Sequence, residues 1–203
     1  MNFIYYSIFF YFFNFYLKKS SFQSIVNLRE NSYLKLINYI NSCIHAKIVY
    51  VLSFLLLMNF IDVSVWSNCL DVTRGYCFYD TLMILYQNPL DYQMLIHHLI
   101  LFIGTYNYYV ILYPYQIALA LLSETSNQFL YIGWFLIKKN LKNTMIFKIN
   151  GIILLILFFL FRVINFTYLS FFIFTNCSFY ENILFLPITL LNYYWFFLLV
   201  KKF

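Results

Sequence analysis

The chain has 203 residues, of which 64% are hydrophobic and 10% charged, with a mean hydropathy of +0.76. That balance excludes a soluble domain, and the scarcity of Gly (4) and Pro (3) excludes collagen-like, low-complexity and linker-rich chains. A net charge of +6 would suggest a nucleic-acid partner in a soluble protein, but here the basic residues lie between hydrophobic runs and report topology, so no nucleic acid is expected. The 26 Phe and 21 Tyr are read as lipid-facing and interfacial bulk. The fold class expected is all-α, a polytopic transmembrane helical bundle.

A spanning helix needs about 20 apolar residues to cross roughly 30 Å of hydrocarbon, and the chain contains about seven such runs. The first, residues 3–17, is short and lacks the basic start and small-residue cleavage site of a signal peptide, so it is read as an uncleaved anchor. The second, 43–60, carries His45. The third, 66–86, places Tyr76, Tyr79 and Asp80 on one face by i+3 and i+4 spacing. The fourth, 95–113, carries the adjacent pair His97 and His98, with Gly104 and Thr105 two turns further along the same side. Adjacent positions lie about 100° apart on a helix, so one imidazole is expected on the bundle axis and the other beside it. The fifth, 114–137, is separated from the fourth at Tyr113-Pro114, because Pro disfavours helix in the residue before it and suits the first turn of a new one. It shows Glu124, Asn127 and Gln128 on one face. The sixth, 149–174, carries Arg162, and the seventh is 183–200.

Charge gives an independent check. With seven spans, Lys18, Lys19, Arg29, Lys35, Lys47, Lys138, Lys139, Lys142, Lys148, Lys201 and Lys202 all fall on one side, and this side is expected to be cytoplasmic. The N-terminus is then lumenal and the C-terminus cytoplasmic. Cys43, Cys69, Cys77 and Cys177 form no CxxC pair, and three histidines are too few for a histidine-rich di-iron site, so no metal is expected. Cys69 and Cys177 both fall near the lumenal face, either paired or, the favoured reading, as unpaired apolar cysteines.

An ionisable residue in a bilayer costs about 2.5–3.5 kcal/mol on insertion scales, so His45, Asp80, His97, His98, Glu124 and Arg162 should face the interior and find partners. Each has a packing reading beside the functional one, and Arg162 could simply neutralise Glu124 or Asp80. The histidine pair is the hardest to justify by packing alone.

These polar residues fall in an order that resembles the TLC (TRAM/LAG/CLN) domain family. Ser42-Cys43-Ile44-His45-Ala46 resembles its S-x-x-H-A element, Gly75-Tyr76 followed by Asp80 its G-Y-x-x-x-D element, and Ile96-His97-His98-Leu99 its paired-histidine helix. Leu122-Ser123-Glu124-Thr125-Ser126 with Trp134 downstream is similar to the L-x-E-x-S element of the non-synthase, TLC-domain-containing subgroup, and Asn150-Gly151 with Phe158, Phe159 and Arg162 to its next helix. The resemblance implies an N-terminal anchor and cytoplasmic loop at 1–40 and a TLC domain at 41–203, with six spans around a lipid-accessible cavity. It also implies residence in the endoplasmic reticulum.

In ceramide synthases of that family the helix after the paired histidines carries H-D-x-S-D, whereas this chain has Ser123-Glu124-Thr125-Ser126-Asn127. A Ser stands for the His, a Glu for the first Asp and an Asn for the last, and these departures favour the non-synthase subgroup. The function expected is therefore membrane lipid homeostasis by binding or sensing lipid in an intramembrane polar cavity. Membrane lipids are the partners and no cofactor is needed; a homo-oligomer is compatible. The lipid-binding candidates are His45, Tyr76, Ser126, Asn127 and Arg162. The alternative is a ceramide synthase-like N-acyltransferase with acyl-CoA as co-substrate, making a sphingolipid product. There His97 or His98 would be base or nucleophile, Asp80 or Glu124 would orient the imidazole, and Arg162 would hold a substrate oxygen.

Overall fold

In lipid every backbone polar group must be satisfied internally, and a chain this poor in Gly and Pro meets that demand with helices. The computed structural model describes residues 3–20, 22–86, 90–105 and 112–202, and among them no strand occurs. The helices are α1 (Phe3–Lys19), α2 (Phe22–Val26), α3 (Glu30–Leu57), α4 (Val63–Trp66), α5 (Asn68–Leu85), α6 (Tyr92–Gly104), α7 (Pro114–Leu121), α8 (Thr125–Lys138), α9 (Met145–Phe158), α10 (Asn165–Asn176) and α11 (Phe179–Val200). A 3₁₀ turn, Leu122–Glu124, joins α7 to α8, and a π-helical turn, Phe159–Ile164, joins α9 to α10. Among the described residues Glu30–Leu57, the continuous rod Met145–Asn176 and Phe179–Val200 are long and apolar enough to cross a membrane. The bundle's outer surface is hydrocarbon and aromatic, with Phe171, Phe174, Ile152, Ile156, Leu190 and Phe197 all exposed. The protein is an all-α membrane-type bundle.

The apolar runs read from the sequence are largely helical where described, but their bounds differ: α3 ends at Leu57, short of the expected 60, the run at 66–86 is broken at Ser67 between α4 and α5, and α6 ends at Gly104, short of the expected 113. The second run begins at 43, yet α3 begins at Glu30 and carries Lys35, whose ammonium lies 5.6 Å from the centre of the Tyr39 ring. Lys19 over Phe15, Lys138 over Trp134 and Lys201 over Phe197 repeat the device, so the Lys-rich ends of four helices lay their stems along aromatic rings. The lysine ammonium of Lys139 also donates to the carbonyl of Val26, tying α2 to the end of α8. At Tyr113 the backbone leaves the helical region (φ −136°, ψ 52°) and Pro114 occupies the first turn of α7, as its fixed φ and missing N–H favour. The last part of the expected fourth span, 106–111, lies outside the described residues.

Helix ends are set by Asn. Asn59 (φ 58°) and Asn140 (φ 57°) take the left-handed conformation just past α3 and α8. In each case two N–H groups reach back to the last turn, Asn59 to Leu56 and Phe60 to Leu55, Asn140 to Ile137 and Leu141 to Leu136, at 2.9–3.0 Å.

α1 is seated directly on α5. Gly75 makes this approach: a methyl group there would meet the Phe3 carbonyl and Tyr6 Cβ at 2.6 Å. Asn14 on α1 donates to Asn38 Oδ1 on α3 (2.7 Å) and to the Tyr79 hydroxyl on α5 (2.6 Å), and Asn41 donates to the same hydroxyl at 3.0 Å. Tyr79 thus faces the α1–α3 seam. The face expected to hold Tyr76, Tyr79 and Asp80 together is split: Asp80 meets His98 of α6, and Tyr76 lies between His45 of α3 and His98. An apolar cluster of Val49, Leu56, Trp66, Leu70, Ala118 and Leu121 packs the C-terminal half of α3 against α4, α5 and α7. Between it and the Lys-rich end the interior is polar.

Candidate functional site

α6 enters between α5 and α11, and its histidine pair uses both sides of the wedge. His97 and His98 are both buried. The 100° between adjacent positions is what lets each find its own carboxylate. His98 Nε2 lies 3.6 Å from Asp80 Oδ2 of α5, and His97 Nε2 lies 3.6 Å from Glu124 Oε1 of the 3₁₀ turn. Trp195 of α11 stands edge-on to His97 at 5.7 Å, and Tyr76 stands edge-on to His98 at the same separation. On the far face of Tyr76, His45 stacks in parallel at 4.2 Å with an interplanar angle of 10°. The His45 Nε2 is 3.3 Å from the Thr73 hydroxyl.

Arg162 closes the site. It sits in the π-helical turn, and its guanidinium donates from every nitrogen: Nε to Ser126 Oγ (2.9 Å) and the Ser123 carbonyl (3.2 Å), Nη1 to Asn192 Oδ1 (2.9 Å), Nη2 to Asn127 Oδ1 (2.9 Å). Nη2 also lies 3.7 Å from Glu124 Oε1, while Asn127 donates to Glu124 Oε2 at 2.7 Å. The rings of Phe158 and Trp195 flank it at 5.2 and 5.6 Å. Two departures from regular helix make this arrangement available. The 3₁₀ turn at Leu122–Glu124 tightens the backbone where Ser123 offers its carbonyl, and the π turn widens the facing helix where Arg162 projects.

Charge is balanced unevenly. Arg162 offsets Glu124, whereas Asp80 has His98 as its ion-pair partner among the described residues. The Nδ1 atoms of His45, His97 and His98, together with Glu124 Oε1, Thr125 Oγ1 and Asn192 Nδ2, are buried without a hydrogen-bond partner among the described residues.

One turn beyond the polar cluster lies an apolar cavity of about 130 Å³ between α6, α7, α10 and α11, walled by Leu101, Gly104, Ile117, Leu121, Leu169 and Ile188. Gly104 faces open space, with nothing within 4 Å of where a Cβ would stand. The two regions are neighbours along three helices, although no residue of the polar cluster lines the cavity. Leu101 follows His97 by four positions, Leu121 precedes Glu124 by three, and Ile188 precedes Asn192 by four, and each pair shares a helix face.

All nine residues singled out in the sequence, His45, Tyr76, Asp80, His97, His98, Glu124, Ser126, Asn127 and Arg162, lie in this one network. Asn192, Trp195 and Thr73 were not foreseen from the sequence. Thr189, Asn192 and Trp195 recur at i, i+3 and i+6 on the last helix, a polar and indole stripe that could have marked the face turned toward Arg162. The four cysteines are free, Cys69 and Cys177 included.

Comparison with known proteins adds two findings. The family model for the TLC domain, shared by TRAM, LAG1 and CLN8 proteins, matches residues 1–201. TLC domain-containing protein 4 A of Dictyostelium discoideum is 32% identical over 132 residues, covering 59% of this chain and 51% of that protein. The chain thus spans about half the length of the curated relative it matches.

Proposed function

The chain belongs to the TLC domain family, and from that premise we propose that it acts in membrane lipid homeostasis by holding a lipid inside the bundle. The headgroup lies against His97, His98, Asp80 and Glu124, and hydrocarbon enters the apolar cavity. The observation that carries this reading is the adjacency of the two regions, polar cluster and apolar wall one turn apart on three helices. A site ionic at one end and hydrocarbon at the other suits an amphiphile. The cavity is close to the roughly 150 Å³ that admits a benzene-sized group, so it takes a stretch of one chain while the rest stays in the bilayer. We further infer residence in the endoplasmic reticulum and seven spans with a lumenal N-terminus and a cytoplasmic C-terminus; the lysines at the C-terminal ends of α1, α8 and α11 support the orientation.

One position at which synthases carry an acid–base group serves the framework here: the Asn127 side chain bridges Arg162 and Glu124. This favours binding over turnover. A second reading, N-acylation of a long-chain amine by acyl-CoA, is supported by the separate carboxylate of each imidazole. In that reaction the amine nitrogen attacks the thioester carbonyl, the imidazole takes its proton, the C–S bond breaks and the thiolate leaves with that proton.

Mass spectrometry of lipids retained by detergent-purified protein tests the choice. The wild type should retain a defined lipid, and Gly104→Phe, which fills the cavity without meeting backbone, should elute as the same monodisperse peak with retention reduced at least about tenfold. Equal retention by both would refute the cavity's role. N-acylation that His97→Ala or His98→Ala abolishes would move the assignment to the second reading.

A further inference from the structure

The ionic groups of the site are shut in, and the way they are covered marks the way in. His97, Glu124 and Arg162 are all buried, and the rings of Phe158 and Trp195 lie over the guanidinium. Phe158 is itself buried, whereas Trp195 is half-buried, and its indole stands both over Arg162 at 5.6 Å and edge-on to His97 at 5.7 Å. A half-exposed ring against two buried polar groups is the boundary between them and the outside. The side chain's one polar atom, Nε1, donates to Gln93 Oε1 at 2.8 Å. Gln93 is exposed on the first turn of α6, so that bond can be traded for one to water at small net cost.

We propose that Trp195 gates the His97, Glu124 and Arg162 cluster and that its bond to Gln93 is the latch, the cluster being reached by opening the seam between α6 and α11. Gln93, His97 and Leu101 recur at every fourth residue along one face of α6, and Trp195, Asn192 and Ile188 follow one another at steps of three and four on α11. Gln93 meets Trp195 at one end of the seam, and Leu101 and Ile188 share the cavity wall at the other. The two helices therefore run antiparallel, and one parting uncovers latch, cluster and cavity in that order. Pro187 sits inside α11 about two turns before Trp195, where its missing N–H removes a main-chain bond and gives the helix a place to bend. The other imidazoles have other covers: His45 is stacked on Tyr76, and His98 lies between Tyr76 and Asp80. Opening the seam exposes His97 and leaves His45 and His98 closed. The device serves retention and turnover alike, so its test needs no lipid.

Diethyl pyrocarbonate acylates an imidazole nitrogen that it can reach, and fragment-ion mass spectrometry reads the modification rate of each of the three histidines separately. The full-length protein in detergent is compared with Gln93→Leu, which removes the acceptor at an exposed position, and with Trp195→Ala, which removes the cover. Gln93→Leu should speed modification of His97 roughly threefold to tenfold, the effect of one hydrogen bond on an opening equilibrium. Trp195→Ala should speed it at least as much, and in both variants His45 and His98 should react as slowly as in the wild type. Should Trp195→Ala fail to fold, the Gln93→Leu comparison decides alone. A His97 rate unchanged in Gln93→Leu overturns the latch, and one unchanged in a folded Trp195→Ala overturns the gate. Acceleration of all three histidines together is a loosened bundle and overturns the proposal as well.

Discussion

Replacing Gly75 with Ala should loosen the whole N-terminal helix. The added methyl would lie 2.6 Å from the Phe3 carbonyl oxygen, 2.6 Å from Tyr6 Cβ and 2.9 Å from the Ser7 nitrogen, where ordinary contact begins at 3.4 Å. None of those atoms is the end of a flexible side chain, so rotamer change cannot relieve the clash and α1 must withdraw from α5 as a body. Overpacking of this kind costs about 1–3 kcal/mol. Ala in mid-helix regains about 0.5–1 kcal/mol relative to Gly, leaving a net loss of about 1 kcal/mol and at most about 2.5 kcal/mol. For a chain of this size a loss of about 1 kcal/mol is roughly 2–4 °C in midpoint temperature. Thermal melting of the purified protein in detergent, followed by the fraction that stays monodisperse, measures it. Gly104→Ala is the internal control: the same chemical change meets nothing within 4 Å and should leave the midpoint unchanged or slightly raised. If Gly75→Ala melts at or above wild type, or if the two variants behave alike, α1 does not sit on Gly75.

Two further outcomes are expected. Arg162→Met should cost about 3–5 kcal/mol, because it leaves Glu124 buried without its cation, and adding Glu124→Gln should restore much of the loss by removing the uncompensated charge; a double variant no more stable than the single one would show that the hydrogen bonds to Ser126, Asn127 and Asn192, and not the charge pair, dominate. A reporter fused after the C-terminus should be cytoplasmic and one at the N-terminus lumenal, and reporters on the same side would make the number of spans even.

Much of the architecture can be read from single residues, because cost in lipid is a property of single residues. An apolar run must be helical, and a buried Asp, Glu, Arg or His must face inward, so the composition of the polar cluster follows from the sequence alone. Its pairing does not. That His97 meets Glu124 and His98 meets Asp80 depends on how α6 is rotated between its neighbours, and helical spacing within α6 leaves that rotation open. Tyr79 shows the same limit: its spacing groups it with Asp80, yet Asn14, Asn38 and Asn41, distant in the chain, draw it to another seam. The Ser123 carbonyl was out of reach for a different reason, since a main-chain acceptor is common to every residue and only the 3₁₀ turn singles this one out.

The wide turn at Phe159–Ile164 governs more than the reach of Arg162. Asn150, Leu154, Phe158, Arg162 and Phe166 are all buried, at every fourth position. On a uniform α-helix a four-residue step advances by about 40° beyond a full turn, so over the sixteen residues from Asn150 to Phe166 the stripe would wander by about 160° and end on the lipid side. Slower winding between Phe159 and Ile164 turns the stripe back. The rod thereby keeps one side toward its neighbours along its length without coiling around them. One fault in winding sets the phase of everything after it: Phe166 and Leu169 wall the cavity because the guanidinium that precedes them sits in a turn with too many residues.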